Sequence, residues 1–365
     1  MKMRLLGTTA IVTTALVLYA GSTQGAEKIK IGVGGYFKAY LAAVNQDKGV
    51  GAPGQNRRDH LIAREAEIHF KGRTALDNGL IFGVNVQLEA ETCSDQIDES
   101  FIYVEGGFGK LILGSDDPAS DQLYYGTPQP IAGVGVATPD FLFSQLTNSV
   151  ATPESITSIS GDSEKITYFT PRMNGIQLGI SYTPEQQQDI PSYSGPQGDA
   201  DAGDQSEVVE IGANYIRKIG DFNMVLSVGY GQGNLEVAAA GAEDQTQWGL
   251  GVEFTYGALT FGGDHRKNNQ GTSGANTDRT DYSYGVSYET GDWTLAGGFV
   301  HGEVEAGIGL GKDETDGYQV GIAFDVGPGI KLVGGITRWK VADNLNAAAS
   351  ENKSTEFIVG TKLSF

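Results

Sequence analysis

From Lys28 onward the chain alternates, with Ile29, Ile31, Val33, Gly35, Phe37, Ala39 and Leu41 on one face and Lys28, Lys30, Gly32, Gly34, Tyr36, Lys38 and Tyr40 on the other. A period of two over so long a run predicts an extended strand with one apolar face. The pattern returns at Leu80, Phe82, Val84, Val86 and Leu88, just after the tight-turn signal Asp77-Asn78-Gly79. It returns again at Phe222, Met224, Leu226, Val228 and Tyr230, at Trp248 to Tyr256, at Tyr282 to Tyr288, at Trp293 to Phe299 and at Tyr318 to Phe324. Cutting the chain at its turn signals predicts sixteen strands, near 28–43, 60–73, 80–90, 97–105, 110–115, 164–170, 175–183, 206–217, 221–231, 244–256, 258–266, 280–289, 292–301, 316–325, 329–340 and 354–365. An even number lets a closed barrel begin and end on the same side.

The links between strands alternate in length. Short ones such as Gly106 to Gly109, Ile219-Gly220 and Thr290-Gly291 follow long ones such as Val44 to Asp59, Thr183 to Gln205 and Lys267 to Arg279. A soluble sandwich has no reason for that rhythm, whereas a transmembrane barrel has short turns on one side and long loops on the other. Aromatic residues bracket several apolar faces (Trp248 and Tyr256, Tyr282 and Tyr288, Tyr318 and Phe324), as suits the two membrane interfaces. The first three strands carry Phe37, Phe70 and Phe82 outward but no outward Tyr or Trp, which predicts burial against another subunit. Mean hydropathy is −0.21, far below that of a helical membrane protein, because apolar and polar residues interleave.

Lys2 and Arg4, the apolar run Leu5 to Ala20 and the small, polar stretch Gly21 to Ala26 have the layout of a secretory signal, so residues 1–26 are expected to be removed and 27–365 to form the barrel. The apolar run is shorter than the roughly 20 residues a spanning helix needs. The chain has 25 basic and 45 acidic residues. Losing Lys2 and Arg4 makes the remainder more acidic still, which argues against nucleic-acid binding and favours cations over anions in any internal water space. The single cysteine, Cys93, excludes an intrachain disulfide and a thiolate metal cluster. His60, His69, His265 and His301 lack metal-ligand spacing, and neither Gly-x-Ser-x-Gly nor a nucleotide loop is present, so no enzyme is expected.

The longest connection, Asp116 to Ser163, holds Tyr124, Tyr125, Phe141 and Phe143. That much aromatic surface predicts an ordered loop, and the lumen of a sixteen-strand barrel is its natural docking place. Inward faces add Glu65, Glu67, Glu89, Glu99, Glu210, Glu253 and Asp264. Clustered loop carboxylates could hold Ca²⁺, although no Asp-x-Asp-x-Asp-Gly loop occurs; no other cofactor is expected.

Phe108-Gly109-Lys110-Leu111-Ile112-Leu113-Gly114 resembles the strand that feeds the third, inward-folded loop of Gram-negative general porins. Tyr36-Phe37-Lys38-Ala39-Tyr40, Phe70-Lys71-Gly72, Tyr168-Phe169-Thr170-Pro171, Asn174-Gly175, Tyr182-Thr183-Pro184-Glu185 and a terminal Phe365 are similar to the same family. The resemblance implies a trimeric, sixteen-stranded outer-membrane channel, set among outer-membrane lipids and lipopolysaccharide, that passes small hydrophilic solutes and ions by diffusion. A substrate-selective channel, for carbohydrates for example, is the alternative within that family; an outer-membrane enzyme or adhesin is the alternative outside it. It also implies a constriction in which loop acids face a basic wall. Asp116, Asp117, Asp121 and Asp140 match the loop side, and Lys38 and Arg64 the wall, with Arg57 and Arg58 within reach from their loop. Strand parity nevertheless turns Arg64 outward, leaving it between the lumen and a subunit contact.

Overall fold

Each apolar stripe becomes the outer face of a strand. The computed structural model describes residues 28–90, 96–128, 141–146, 157–186, 201–273, 278–305, 311–342 and 351–365. The strands are β1 (Lys30–Gln46), β2 (His60–Ala75), β3 (Ile81–Glu89), β4 (Ile97–Gly106), β5 (Gly109–Ser115), β6 (Glu164–Phe169), β7 (Ile176–Glu185) and β8 (Gln205–Ile219). They continue as β9 (Phe222–Leu235), β10 (Thr246–Tyr256), β11 (Leu259–Asn268), β12 (Arg279–Thr290), β13 (Trp293–Glu305), β14 (Lys312–Gly327), β15 (Ile330–Ala342) and β16 (Glu351–Ser364). One helical turn, α1 (Ala119–Gln122), interrupts the longest connection.

Every strand pairs antiparallel with its neighbours in sequence, and β1 pairs with β16 from Tyr36↔Ser364 to Gln46↔Ser354, so the sheet closes into a sixteen-stranded barrel. Closure matters physically: in hydrocarbon no water can satisfy a free sheet edge. The terminal residue takes part, since Gly35 N donates to Phe365 O at 2.9 Å and Phe365 N donates to Gly35 O at 3.1 Å. Register slips occur at Gln87/Leu88, Ser206/Val209 and Asp325/Gly327, and elsewhere the ladders run unbroken. The short turns sit at one end of the barrel; Gly257 and Gly291 take φ of 59° there, a left-handed conformation that a side chain would strain.

Outward positions such as Val33, Leu250 and Val320 are exposed, while their neighbours along the strand face inward and are mostly polar. Trp248 lies near the long-loop end of β10, stacked on His265 at 5.2 Å, and Trp293 opens β13 beyond its two-residue turn, 4.4 Å from the Phe324 ring. These two rings mark opposite edges of the apolar band. The third tryptophan, Trp339, faces inward and is buried with Val300, Val341 and Leu146.

Candidate pore constriction

The connection from β5 to β6 turns into the barrel at once. Beyond Ser115, Asp116 and Asp117 lead through Pro118 into α1, whose Ala119 N donates to Ser181 Oγ on β7 at 2.8 Å. The chain then crosses the inner wall from β8 to β12. Asn214 Nδ2 donates to Leu123 O at 3.1 Å, Ser227 Oγ sits between the N and O of Tyr125 at 3.0 and 2.9 Å, and Tyr124 donates its hydroxyl to Leu250 O at 2.9 Å. Thr127 N donates to Asp264 Oδ2 at 3.0 Å.

A second described piece, residues 141–146, lies against the opposite wall. There Ser144 N donates to Glu356 Oε1 at 2.8 Å, Gln145 N to Gln46 Oε1 at 2.9 Å, and Phe141 and Phe143 close over Tyr40. The returning piece, 157–163, is held by Glu210 of β8, which accepts from Ile159 N at 2.7 Å, from Ser160 N at 3.3 Å and from the hydroxyls of Ser120 and Ser160. Glu210, Asp264 and Glu356 are thus buried wall carboxylates that accept hydrogen bonds from the loop.

Between loop and wall lies a charged zone. Asp116 is buried and accepts from Gln122 Nε2 at 3.0 Å. Burial pushes its carboxyl up to about 6 against the pull of Lys110, and Asp117 is likewise raised to about 6 by burial and by Asp116. Asp121 is held well above the carboxylate range by loss of water and by Asp117, Glu210 and Asp162. Lys165 donates to the carbonyls of Asp116, Gly161 and Ser163, fastening the loop's two ends together. Lys110 stands 4.7 Å over the Tyr103 ring, and Lys71, three strands away on β2 and facing the lumen, feels Glu99, Glu67 and Asp116.

On β1 and β2 the lumen holds a second charged group. Lys38 pairs with Glu65 at 2.7 Å, Tyr36 donates to both Glu65 and Glu67, and His69 Nε2 lies 2.7 Å from Glu67. Lys38 and Lys362 both rest on the Tyr36 ring, at 4.7 and 4.6 Å. Glu99 accepts from Gln87 and from Asn85 Nδ2 at 3.3 Å. Two trios, Glu67 with Glu89 and Asp98, and Glu99 with Asp117 and Asp162, bring carboxylate oxygens within 4.8 Å of one another, a donor set of the kind hard cations take.

A family model described as Gram-negative porin matches residues 7–344. The chain belongs to this family. Among solved structures, the porin is similar to an anion-selective porin from Comamonas acidovorans, with 15% identity over 93% of this chain and 100% of that one and a TM-score of 0.62. It is similar to a loop-deletion form of OmpT, an outer membrane protein of Vibrio cholerae, with 13% identity, the same coverage and a TM-score of 0.63. It is also similar to a mutant of the Rh. blastica porin, with 17% identity, 92% and 100% coverage and a TM-score of 0.55. Likeness at these identities is likeness of fold. Curated relatives include uncharacterized proteins of Rickettsia bellii and Rickettsia felis, each 32% identical over 130 residues; the matched stretch spans 30% of this porin and 30% of each relative. Family and fold point to an outer-membrane channel rather than an enzyme.

The structure brings Asp116, Asp117 and Asp121 together at the loop base and puts Lys38, Glu65, Glu67, Glu89 and Glu99 on lumen-facing strand positions. Arg64 is a correction: it pairs with Ala39 in an unbroken register, between outward Ile62 and Ala66, so it projects from the outer face and not from the pore wall. Arg57 and Arg58 are exposed in the connection between β1 and β2. Asp140 and Cys93 lie outside the described residues. Sequence reasoning missed Lys71, Lys110, Lys165 and Lys362. Lys71 and Lys110 stand within the motifs that carry the resemblance, and inward parity with Asn85 and Ile112 was the available signal.

Proposed function

We propose that this porin is a water-filled, cation-preferring channel for passive diffusion of small hydrophilic solutes and ions, working as a homotrimer after export through a cleaved signal. The observation that carries the reading is the loop: its described pieces sit on fixed anchors inside the barrel and set Asp116, Asp117 and Asp162 near a wall that bears Glu99, Lys71 and Lys110. Carboxylates at that narrowing raise the local cation concentration, and the lysines opposite orient the field across it.

The aromatic residues favour diffusion over a substrate-selective track. Tyr40 and Phe143 are 1% and 6% exposed and are consumed in packing, and Tyr124 and Tyr125 lean on the wall, so the described lumen offers no ladder of open rings for a sugar. The Ca²⁺-like donor trios are compatible with cation passage through the same zone.

Reversal potentials across a planar bilayer under a salt gradient test the reading. Wild-type protein should give large, steady conductance steps with a cation-selective reversal potential that weakens as salt screens the fixed charges. Replacing Asp116, Asp117 and Asp121 together by Asn should lower the selectivity without unfolding the barrel. Anion selectivity in the wild type would transfer control to Lys71, Lys110 and Lys38.

A further inference from the structure

Six strand glycines face the lumen where the loop crosses the wall. Gly212, Gly229 and Gly249 are direct cross-strand partners on β8, β9 and β10; Gly251 follows on β10, and Gly262 pairs with Gly285 on β11 and β12. None of the six has positive φ, so turn geometry does not explain them, and glycine weakens a strand interior. What they share is the loop lying on them. A Cβ on Gly212 would stand 2.1 Å from Ala119 O, on Gly251 1.6 Å from Tyr125 O, on Gly262 2.5 Å from Gly126 O and on Gly285 2.6 Å from Thr127 Cγ2. At Gly249 the obstacle is the Thr157 side chain, with Oγ1 at 2.4 Å.

We propose that this glycine row is the seat of the loop and sets the aperture of the channel from behind: with no side chains beneath it, the loop lies flush with the wall and leaves the rest of the lumen open. The proposal rests on the channel reading above. Ordinary contact needs about 3.5 Å, so a side chain at Gly251 obliges the Tyr125–Gly126 backbone to move by about 2 Å. The anchors on either side, Ser181 at Ala119 and Asp264 at Thr127, keep the loop attached, so it bows into the lumen.

Single-channel conductance in planar bilayers tests this on the full chain. Gly251→Leu should lower conductance roughly twofold, and should slow the entry of larger sugars into liposomes more than that of smaller ones. Gly334→Leu, an outward position between Leu332 and Ile336, should conduct like the wild type. Gly249→Ala should lower conductance, and adding Thr157→Ala should restore it, because the Thr157 hydroxyl is buried without a hydrogen-bond partner and its removal only clears space. That rescue decides the matter if Gly251→Leu fails to fold. A wild type without steps would overturn the channel reading and this proposal with it. A conducting wild type whose Gly249→Ala and Gly251→Leu variants conduct equally or better would overturn the glycine seat alone.

Discussion

Two carboxyls at the base of the loop titrate where ordinary aspartates do not. Asp116 and Asp117 are raised to about 6 because burial removes the water that would stabilise their charge. Below that pH they take protons and become neutral, so cation selectivity should fall as pH drops from about 7 to about 5, a range in which carboxylates at the usual value near 3.9 keep their charge. Reversal potentials measured across that range check this, and a flat profile would mean that other acids set the selectivity. The stability sign is opposite to that of a salt-bridged aspartate. A folded value above the unfolded one means these two groups oppose folding at neutral pH, and that cost shrinks as pH falls from about 6 and is gone below the unfolded value near 3.9. Parity alone placed Arg64 outward and Lys38 inward, as found, while the resemblance pulled Arg64 into the pore; where the two conflict, an unbroken register decides for parity.

Among the elements, the strands were legible because each must hide one face from water or lipid, and that demand writes a period of two into the chain. That the loop packs inside the barrel was legible from its aromatic residues: among the described residues, Phe141 and Phe143 pack on Tyr40. Its anchors were not legible. Glu210 meets Ile159 across 51 positions of sequence and Glu356 meets Ser144 across 212, and nothing local marks a wall carboxylate as a loop acceptor and not a pore charge. The sequence reading counted Glu210 and Asp264 as lumen acids, and both are spent on the loop. Glu210→Gln should therefore release the returning segment: an amide offers one acceptor oxygen where the carboxylate offers two, and it turns an NH₂ toward the donors of Ser160 and Ile159. Hydrogen bonds to a charged acceptor are worth about 1.5–3 kcal/mol each, so the local loss should be about that size. Limited proteolysis of the folded barrel should cut residues 157–163 faster in the variant, with added noise in the open-channel current. Equal cutting rates would show that Asp264, Glu356 and Lys165 hold the loop without help.

For the molecule as a whole, the register that joins β1 to β16 could not be read from sequence, since it depends on the stagger accumulated around the entire barrel. The face around that seam carries the subunit prediction. Val33 and Ile62 are 61% and 77% exposed, Leu41 and Phe82 add to the same apolar surface, and Arg64 projects from it. The first strands also lack the outward Tyr and Trp that mark the lipid interface around β10 to β14. A homotrimer that buries β1 to β3 accounts for an apolar face without that girdle. Val33→Arg or Val84→Arg then places an unpaired charge in an apolar contact and should weaken assembly, visible as loss of the heat-resistant oligomer band on a gel while the monomer keeps its strand content. Retention of the oligomer through both changes would move the contact to another part of the wall.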